Sequence, residues 1–474
     1  MVNILGRNFP KSSLNNDSMN ELPYDTEDPI AALATPWGES ALAVLRTAGK
    51  GCIDLAASCF SKPEKLRQAA HGTMVYGYII DAESGDRVDQ VLAAVFRPPG
   101  GYTGQESVEI SCHGSPPGVK RILDVLRKAG FRDAAAGEFT LRAFLNGKMD
   151  LTRAEAVAEI IGAKSMHAQS LALGRLSGNV CRRIDSPKGE LAGVLAGVEV
   201  QLDYPEDELE SAPEVDLGAV YRIKEGIEEL AASYRTGRIY QEGAVAAITG
   251  PTNAGKSSLF NLFLKEDRSI VSEVHGTTRD YIESWISVQG VPVRLIDTAG
   301  LRDAEHPVEL EGIRRSEQVV ENASLVLYLV DATEGPGEEQ LRLFREKERD
   351  EKFLFILNKV DLLETPQPQM PGWFLISAET GQGFSRLEEE MERRLLGTGS
   401  TFGGLYIDNR RQFDLLQRAA GALGNVIDGT ESGVPLDFTA SDLKDAVDSL
   451  GEITGEVTSA DILARIFSDF CVGK

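Results

Sequence analysis

A chain of 474 residues, 42% hydrophobic and 26% charged, has the composition of a folded globular protein and the length of about three domains. Its formal net charge of −24, from 73 acidic and 49 basic residues, argues against a general nucleic-acid coat, because phosphate binding rests on Lys and Arg; only a local basic patch is left open. Five cysteines without a Cys-x-x-Cys pair signal neither a disulfide framework nor a zinc site. No apolar run approaches the roughly 20 residues that span a bilayer, so a cytoplasmic chain with reduced thiols and no membrane association is expected.

Residues 1–27 are polar, lack a signal-peptide core and are expected to form a flexible extension. Residues 28–150 read as an α+β domain. Ala41–Leu45 and Val91–Phe96 are strand-like, Val108–Cys112 alternates like a half-buried strand, and Pro117–Lys128 is helical. Residues 151–242 turn helical. Thr152 with Glu155 suggests a capping box, and Ala154, Val157, Ala158 and Ile161 share a face, as do Val220, Ile223, Ile227 and Leu230. Much of the acid falls between Asp203 and Asp216.

In residues 243–397 strands alternate with helices, at Val245–Thr249, Val293–Ile296, Leu325–Val330, Phe353–Leu357 and Trp373–Ile376, which predicts a mostly parallel sheet covered by helices. A Gly-rich stretch, Gly397 to Gly404, closes this unit. Residues 398–474 become helical again, with stripes at Leu443, Ala446, Val447 and Leu450 and at Ile462, Leu463, Ile466, Phe467 and Phe470. Helical segments on both sides of the α/β unit imply one discontinuous helical domain with a nucleotide-binding domain inserted into it.

Gly250-Pro251-Thr252-Asn253-Ala254-Gly255-Lys256-Ser257 fits GxxxxGK[ST] between a strand and a helix. Glycines let backbone N–H groups wrap phosphates. Lys256 brings charge to the outer phosphates, Ser257 brings a hydroxyl to Mg²⁺, and the helix start adds its dipole. Asp297-Thr298-Ala299-Gly300 follows a strand, where the carboxylate can hold Mg²⁺ through water and the Gly N–H can sense the γ-phosphate. Asn358-Lys359-Val360-Asp361 ends another strand. Asp361 can accept the two donors of the guanine edge, which adenine does not offer, so it selects GTP over ATP. Ser377-Ala378-Glu379 would back the base, and Ser258 follows the phosphate loop on its helix. Thr278, in Gly276-Thr277-Thr278-Arg279-Asp280, is spaced to complete Mg²⁺ coordination. Leu301 stands where Ras-like GTPases keep the glutamine that orients water, so water activation must come from elsewhere.

These motifs combine with three further features. Asn253 holds the fourth loop position, the switch reads Ser272-Glu273-Val274-His275-Gly276-Thr277-Thr278, and the sequence ends Phe470-Cys471-Val472-Gly473-Lys474. With Tyr102-Thr103-Gly104, His113-Gly114 and Phe144 to Leu151, the chain from about Asp28 onward resembles the tRNA-modifying GTPase family MnmE/TrmE. The resemblance implies a multidomain chain: an N-terminal α+β folate-binding and dimerising domain, a discontinuous α-helical domain, and an inserted Ras-like α/β P-loop GTPase domain. It implies K⁺ held by Asn253, Ser272, Val274 and Thr277, next to Mg²⁺ on Ser257 and Thr278. Read alone, Asn253 is better taken as a loop-stabilising side chain. The family's catalytic glutamate aligns with Glu309, Glu311 competes, and a solvated helix face is the alternative for both.

By matched motif, Arg46, Glu109, Lys148 and Lys474 would contact 5-formyl-tetrahydrofolate; without the family they read as surface ion pairs. One departure is Ser115, where the family reads His-Gly-Gly. Cys471 is implied as a catalytic or substrate-contacting thiol, against the ordinary reading of a small buried hydrophobe. The implied activity is K⁺-dependent GTP hydrolysis by a homodimer. With the flavoprotein MnmG/GidA, in a heterotetramer, it would serve addition of a carboxymethylaminomethyl-type group to C5 of the wobble uridine in tRNA. The rival readings are a ribosome-assembly GTPase, which would need a basic appendage, and a regulatory GTPase switch, which would have no use for a folate pocket.

Overall fold

A computed structural model describes residues 25–203, 215–266, 282–298, 318–363, 370–397, 405–468 and 470–474. All but the last three residues of the expected extension 1–27 lie outside them, as do most of the acidic stretch 203–216 and residues 398–404 of the Gly-rich stretch. The chain forms two compact units, one of Met1–Ala158, Arg175–Tyr221 and Gly421–Lys474, the other of Glu159–Gly174 and Arg222–Ala420. The helical segments are thus shared out between the two units.

The first unit is built on strands β1 (Ile30–Leu33), β2 (Ser40–Ala48), β3 (Thr73–Ile80), β4 (Arg87–Phe96), β5 (Ser107–Gly114) and β6 (Arg132–Asp133), in the order β3-β4-β5-β2-β1-β6. All pairs are antiparallel except β1 with β6. The alternation along β5 turns Val108, Ile110 and Cys112 inward, where they meet helices α1 (Cys52–Ser58) and α3 (Pro116–Ala129); α2 (Pro63–Gln68) lies between them in sequence. Glu109 and His113 fall on the opposite face. Helix α4 (Glu138–Leu145) carries a fully buried ion pair, Arg142 Nη2 to Glu138 Oε1 at 2.6 Å, and Arg132 binds the same carboxylate at 2.8 Å. Arg142 also donates to the Asp28 carbonyl at 2.7 Å, tying α4 to the strand that follows Asp28.

Helix α5 (Leu151–Gly162) starts differently from the expected capping box. Asp150 is the cap, accepting from the Arg153 N–H at 3.0 Å, and its carboxylate also takes the Thr152 hydroxyl. The carboxylate one residue before the helix outcompetes a hydroxyl already inside it. The buried positions of α5 are Leu151, Thr152, Ala154, Glu155 and Ala156, while Ile161 is exposed, so the expected stripe does not extend to the helix end. Beyond α6 (Met166–Leu176), helices α7 (Asn179–Asp203) and α14 (Leu436–Thr454) pack along each other, although more than 200 residues of sequence separate them; Leu443, Ala446 and Leu450 are buried, as the sequence pattern predicts.

The second unit contains α8 (Leu217–Ala232) from Arg222 onward, α9 (Tyr234–Glu242) and a sheet of β7 (Ala244–Thr249), β8 (Ile282–Val288), β9 (Val291–Asp297), β10 (Leu325–Asp331), β11 (Phe353–Asn358) and β12 (Trp373–Leu375). The order is β12-β11-β10-β7-β9-β8, parallel except for the edge hairpin β8–β9. Helices α10 (Lys256–Glu266), α11 (Glu338–Lys347) and α12 (Phe384–Leu396) follow β7, β10 and β12. The expected parallel strands are all present; β8 is the strand of this sheet that periodicity missed, as it missed β1, β3 and β6 of the other. Helix α13 (Arg410–Glu431) precedes α14, and α15 (Ala460–Ser468) buries Leu463 and Phe467. No described helix is long and apolar enough to cross a membrane.

Candidate functional site

The second unit gathers its described candidate residues at the C-terminal ends of its parallel strands, the end at which open α/β sheets form their binding crevice. After β7 the chain turns through Gly250 (φ 135°), Asn253 (φ 63°) and Gly255 (φ 92°), then enters α10 at Lys256. A Cβ on Gly250 would stand 2.1 Å from the Leu329 carbonyl oxygen, and one on Gly255 would stand 2.2 Å from Asn358 Nδ2. Both glycines are therefore required by space as well as by φ. Lys256 is buried and folds its ammonium over the loop, donating to the carbonyls of Gly250 (3.1 Å) and Pro251 (2.7 Å). Ser257 Oγ donates to Asp297 Oδ2 at 3.1 Å, which sets two hard oxygens beside each other at the helix start, a donor set suited to Mg²⁺. Thr298 anchors the end of β9 by donating to the Ile248 carbonyl at 2.8 Å.

Asn358, 1% exposed, joins the separate motifs. Its Nδ2 donates to the Ala254 carbonyl at 2.9 Å, and its Oδ1 accepts from the Ala378 N–H at 2.9 Å. Lys359 adopts a left-handed conformation and reaches back to Asp331 at 2.6 Å. Burial would raise the Asp331 carboxyl, but the bonds from Lys359 and Thr333 hold it below the usual carboxylate range. The turn Val360–Leu362 thereby presents Asp361 as an exposed group. Ser377 closes its loop by accepting from the Thr380 N–H at 3.1 Å. Ser258 lines a cavity of about 320 Å³ with Asn261, Lys265, Ala378 and Glu379.

Asn253 and Glu379 sit exposed at the rim. Ser272, Glu273, Val274, His275, Gly276, Thr277, Thr278, Ala299, Gly300, Leu301, Glu309 and Glu311 lie outside the described residues. The Asp331–Lys359 brace escaped sequence reading, because nothing in the Asn-Lys-x-Asp spacing points to a strand end nearly 30 residues earlier.

The first unit assembles a second cluster. Arg46 Nε donates to Glu109 Oε1 at 2.8 Å across the β2–β5 pair, where the two residues face each other in register. The guanidinium lies 5.2 Å from the ring centre of Tyr102 and 5.7 Å from that of Phe139. Its Nη1 donates to the Gly473 carbonyl at 3.1 Å, and the Phe139 N–H donates to the Lys474 carbonyl at 3.2 Å. Burial first, and the nearby Arg46 second, push the Lys474 ammonium below its ordinary value. Lys148 donates to the Pro99 carbonyl at 2.8 Å and its stem runs alongside Gly104, so it packs on the loop that carries Tyr102. A carboxylate, cations and two aromatic walls are a donor set that fits a pterin edge and an anionic tail. Tyr102 and Phe139, the rings beside Arg46, were not among the expected residues; Tyr102 stands in the Tyr102-Thr103-Gly104 motif, while Phe139 carried no signal.

Cys471 is exposed. The other four cysteines are buried, and burial pushes Cys52 up to about 12 and Cys59 and Cys112 up to about 11. Ser115 has a local role, capping α3 by accepting from the Gly118 N–H at 3.2 Å. Its φ of −89° is open to any residue, so the backbone does not demand a second glycine there.

A family model described as the MnmE helical domain matches residues 151–471, and one described as the GTP-binding protein TrmE N-terminus matches residues 29–148. The tRNA modification GTPase MnmE of Treponema denticola is 42% identical over 467 residues, covering 95% of this chain and 99% of that protein. The proteins of the same name from Borrelia recurrentis (463 residues, 95% and 99% covered) and Aquifex aeolicus (454 residues, 94% and 100% covered) are each 40% identical.

Proposed function

The chain belongs to the MnmE/TrmE family of tRNA modification GTPases, and from that premise we propose how it works. It is a GTP hydrolase that takes part in tRNA modification. The observation that carries the reading is Asn358, which locks the phosphate loop at Ala254 to the base-side loop at Ala378. A triphosphate and a guanine can then be held at one fixed spacing.

GTP is bound with its phosphates against the N–H groups of residues 253–258 and with Lys256 swung from its own loop onto the outer phosphates. Ser257 and Thr278 would hold Mg²⁺, with Asp297 behind them, and Asn253, Ser272, Val274 and Thr277 would hold K⁺. These cations supply positive charge against the charge that develops on the phosphates. Glu309 orients the attacking water, filling the gap that Leu301 leaves. Two copies pair, their nucleotide-binding domains meet face to face, and hydrolysis drives opening and closing.

Arg46, Glu109, Lys148 and Lys474 would hold 5-formyl-tetrahydrofolate or a related folate, a reading supported by the aromatic walls around Arg46 and the in-register carboxylate. Bound tetrahydrofolate supplies a one-carbon unit. Together with the flavoprotein MnmG/GidA, in a cytoplasmic heterotetramer, the chain serves carboxymethylaminomethyl-type addition at C5 of the wobble uridine. Nucleoside analysis of tRNA from cells lacking the protein tests this. The modified wobble uridine should disappear, and its persistence at normal levels would overturn the assignment.

A further inference from the structure

Helix α9 and the start of α13 form an arginine-rich, partly aromatic surface that the nucleotide and folate clusters do not use. Its construction begins at Gly237. A Cβ there would stand 2.2 Å from the Ile407 carbonyl oxygen, so only glycine lets segment 406–408 lie against α9. The buried Ser233 hydroxyl accepts the Ile407 N–H at 3.0 Å, and Tyr240 meets Tyr406 with ring centres 5.8 Å apart. The chain then enters α13 directly beside α9. Tyr234 stacks on Phe413 at 4.6 Å between ring centres, tilted by 23°, and the Arg410 guanidinium lies 5.4 Å from the Phe413 ring. Arg238 is close enough to Arg410 for the two charges to repel. The surface is therefore anchored by the Gly237 and Ser233 contacts with Ile407 and by the two ring pairs, beneath its exposed charges.

The charge is unusual for this chain. Tyr234–Glu242 and Arg410–Arg418 together carry five arginines against two acids, within a protein of net charge −24. The two acids, Glu242 and Asp414, pair with Arg238 (2.7 Å) and Arg410 (2.9 Å) one turn along the same helices. The side chains of those arginines are 56% and 70% exposed. Ion pairs this open are weak, and phosphate oxygens can displace the carboxylates. Cations flanking a rigid aromatic step match a phosphate backbone with an unstacked base beside it, which is how single-stranded loops of RNA are held.

We propose that the Tyr234–Phe413 stack with Arg238 and Arg410 is a binding surface for the substrate tRNA, contacting phosphates through the arginines and a loop nucleotide through the rings. This rests on the reading of the chain as a tRNA modification GTPase and adds where the RNA is held. The test is fluorescence anisotropy of labelled tRNA with the full chain over a range of salt. Changing Arg238→Gln and Arg410→Gln together should weaken binding by about tenfold or more and lower the slope of log affinity against log salt by about 1.4–1.8, since each of the two lost phosphate contacts removes roughly 0.7–0.9. The double Lys variant should restore the slope. Phe413→Leu should weaken binding with the slope kept. GTP turnover and melting temperature should stay near wild type in the Gln and Lys variants. Wild-type binding matched in affinity and slope by the double Gln variant would overturn the surface and leave the family function standing. Loss of a protein partner from that variant with tRNA affinity intact would do the same. A wild-type chain that holds no tRNA under any salt or nucleotide condition would overturn both.

Discussion

Replacing Asn358 with alanine removes two buried hydrogen bonds and leaves both of their partners in place. The Ala254 carbonyl loses its donor and the Ala378 N–H loses its acceptor, at a position 1% exposed. Each buried polar group stranded in this way costs about 1–3 kcal/mol, so Asn358→Ala should destabilise the nucleotide-binding unit by about 2–6 kcal/mol. Asn358→Asp should fare no better: it keeps the acceptor for Ala378 but sets a carboxylate against the Ala254 carbonyl in a buried site. GTP affinity should fall along with stability, because the loops holding phosphate and base lose their common tie. Denaturant unfolding can be followed through Trp285 and Trp373, which lie on β8 and β12 of this unit, while Trp37 belongs to the other. Nucleotide affinity is measured by titration with a fluorescent GTP analogue. An Asn358→Ala protein within about 0.5 kcal/mol of wild type, the scatter of surface substitutions, and with unchanged affinity would refute the reasoning.

Exchanging K⁺ for Na⁺ should slow GTP turnover by more than tenfold, about 1.4 kcal/mol of barrier, and Asn253→Ala should abolish the difference; equal rates in both salts would sink the potassium site. Glu309→Ala should keep GTP affinity and lose turnover, an effect on kcat far more than on KM. If instead Glu311→Ala loses turnover and Glu309→Ala does not, the glutamates are assigned in the wrong order. Glu390 is held down to about 2 chiefly by its hydrogen bond from Arg393, with burial opposing and Arg394 assisting. A depressed carboxyl stabilises the fold above its ordinary value of 4.5 and loses that contribution as pH falls from there toward about 2. Glu390→Gln should therefore flatten the acid limb of a stability–pH curve in that window and alter the neutral limb only by a constant offset. Cys471→Ser should leave GTP turnover near wild type and abolish wobble-uridine modification, read by nucleoside analysis beside the turnover assay; normal modification would rule out an essential thiol.

The phosphate loop was legible because its constraints are local. Gly250 and Gly255 need positive φ, a strand must precede them and a helix must follow, and all of that is written within about fifteen residues. The parallel strands were legible for a related reason, since strands buried on both faces read as continuous apolar runs such as Leu325–Val330. Strand β8 was missed because Ile282–Val288 mixes Glu283, Ser284 and Ser287 into an edge position that only pairing with β9 makes a strand. The capping of α5 was misread by two residues, since Asp150 and Thr152 both suit a cap and the choice is made by which one stays outside the first turn. The aromatic walls of Arg46 come from residues 56 and 93 positions away, a distance over which spacing carries no information.

The C-terminal residues show what such long-range contacts decide. A Cβ on Gly473 would stand 2.6 Å from the Leu33 carbonyl oxygen, and its φ of 93° suits glycine, so this residue lets the tail lie against the end of β1. Arg46 then takes the Gly473 carbonyl, the Phe139 N–H takes that of Lys474, and Val472 bridges to Ala136. The tail is held by its backbone at the residues around Cys471, while the Cys471 side chain remains exposed. A buried small hydrophobe would owe its place to packing, and serine would then disturb the fold through the lost apolar contact. An exposed side chain on a tail fixed by its neighbours has no packing to lose. Cys471→Ser should therefore leave the melting temperature unchanged, and any loss of function in that variant must come from the sulfur's chemistry. A lowered melting temperature with loss of both activities would place the defect in the docking of the tail instead.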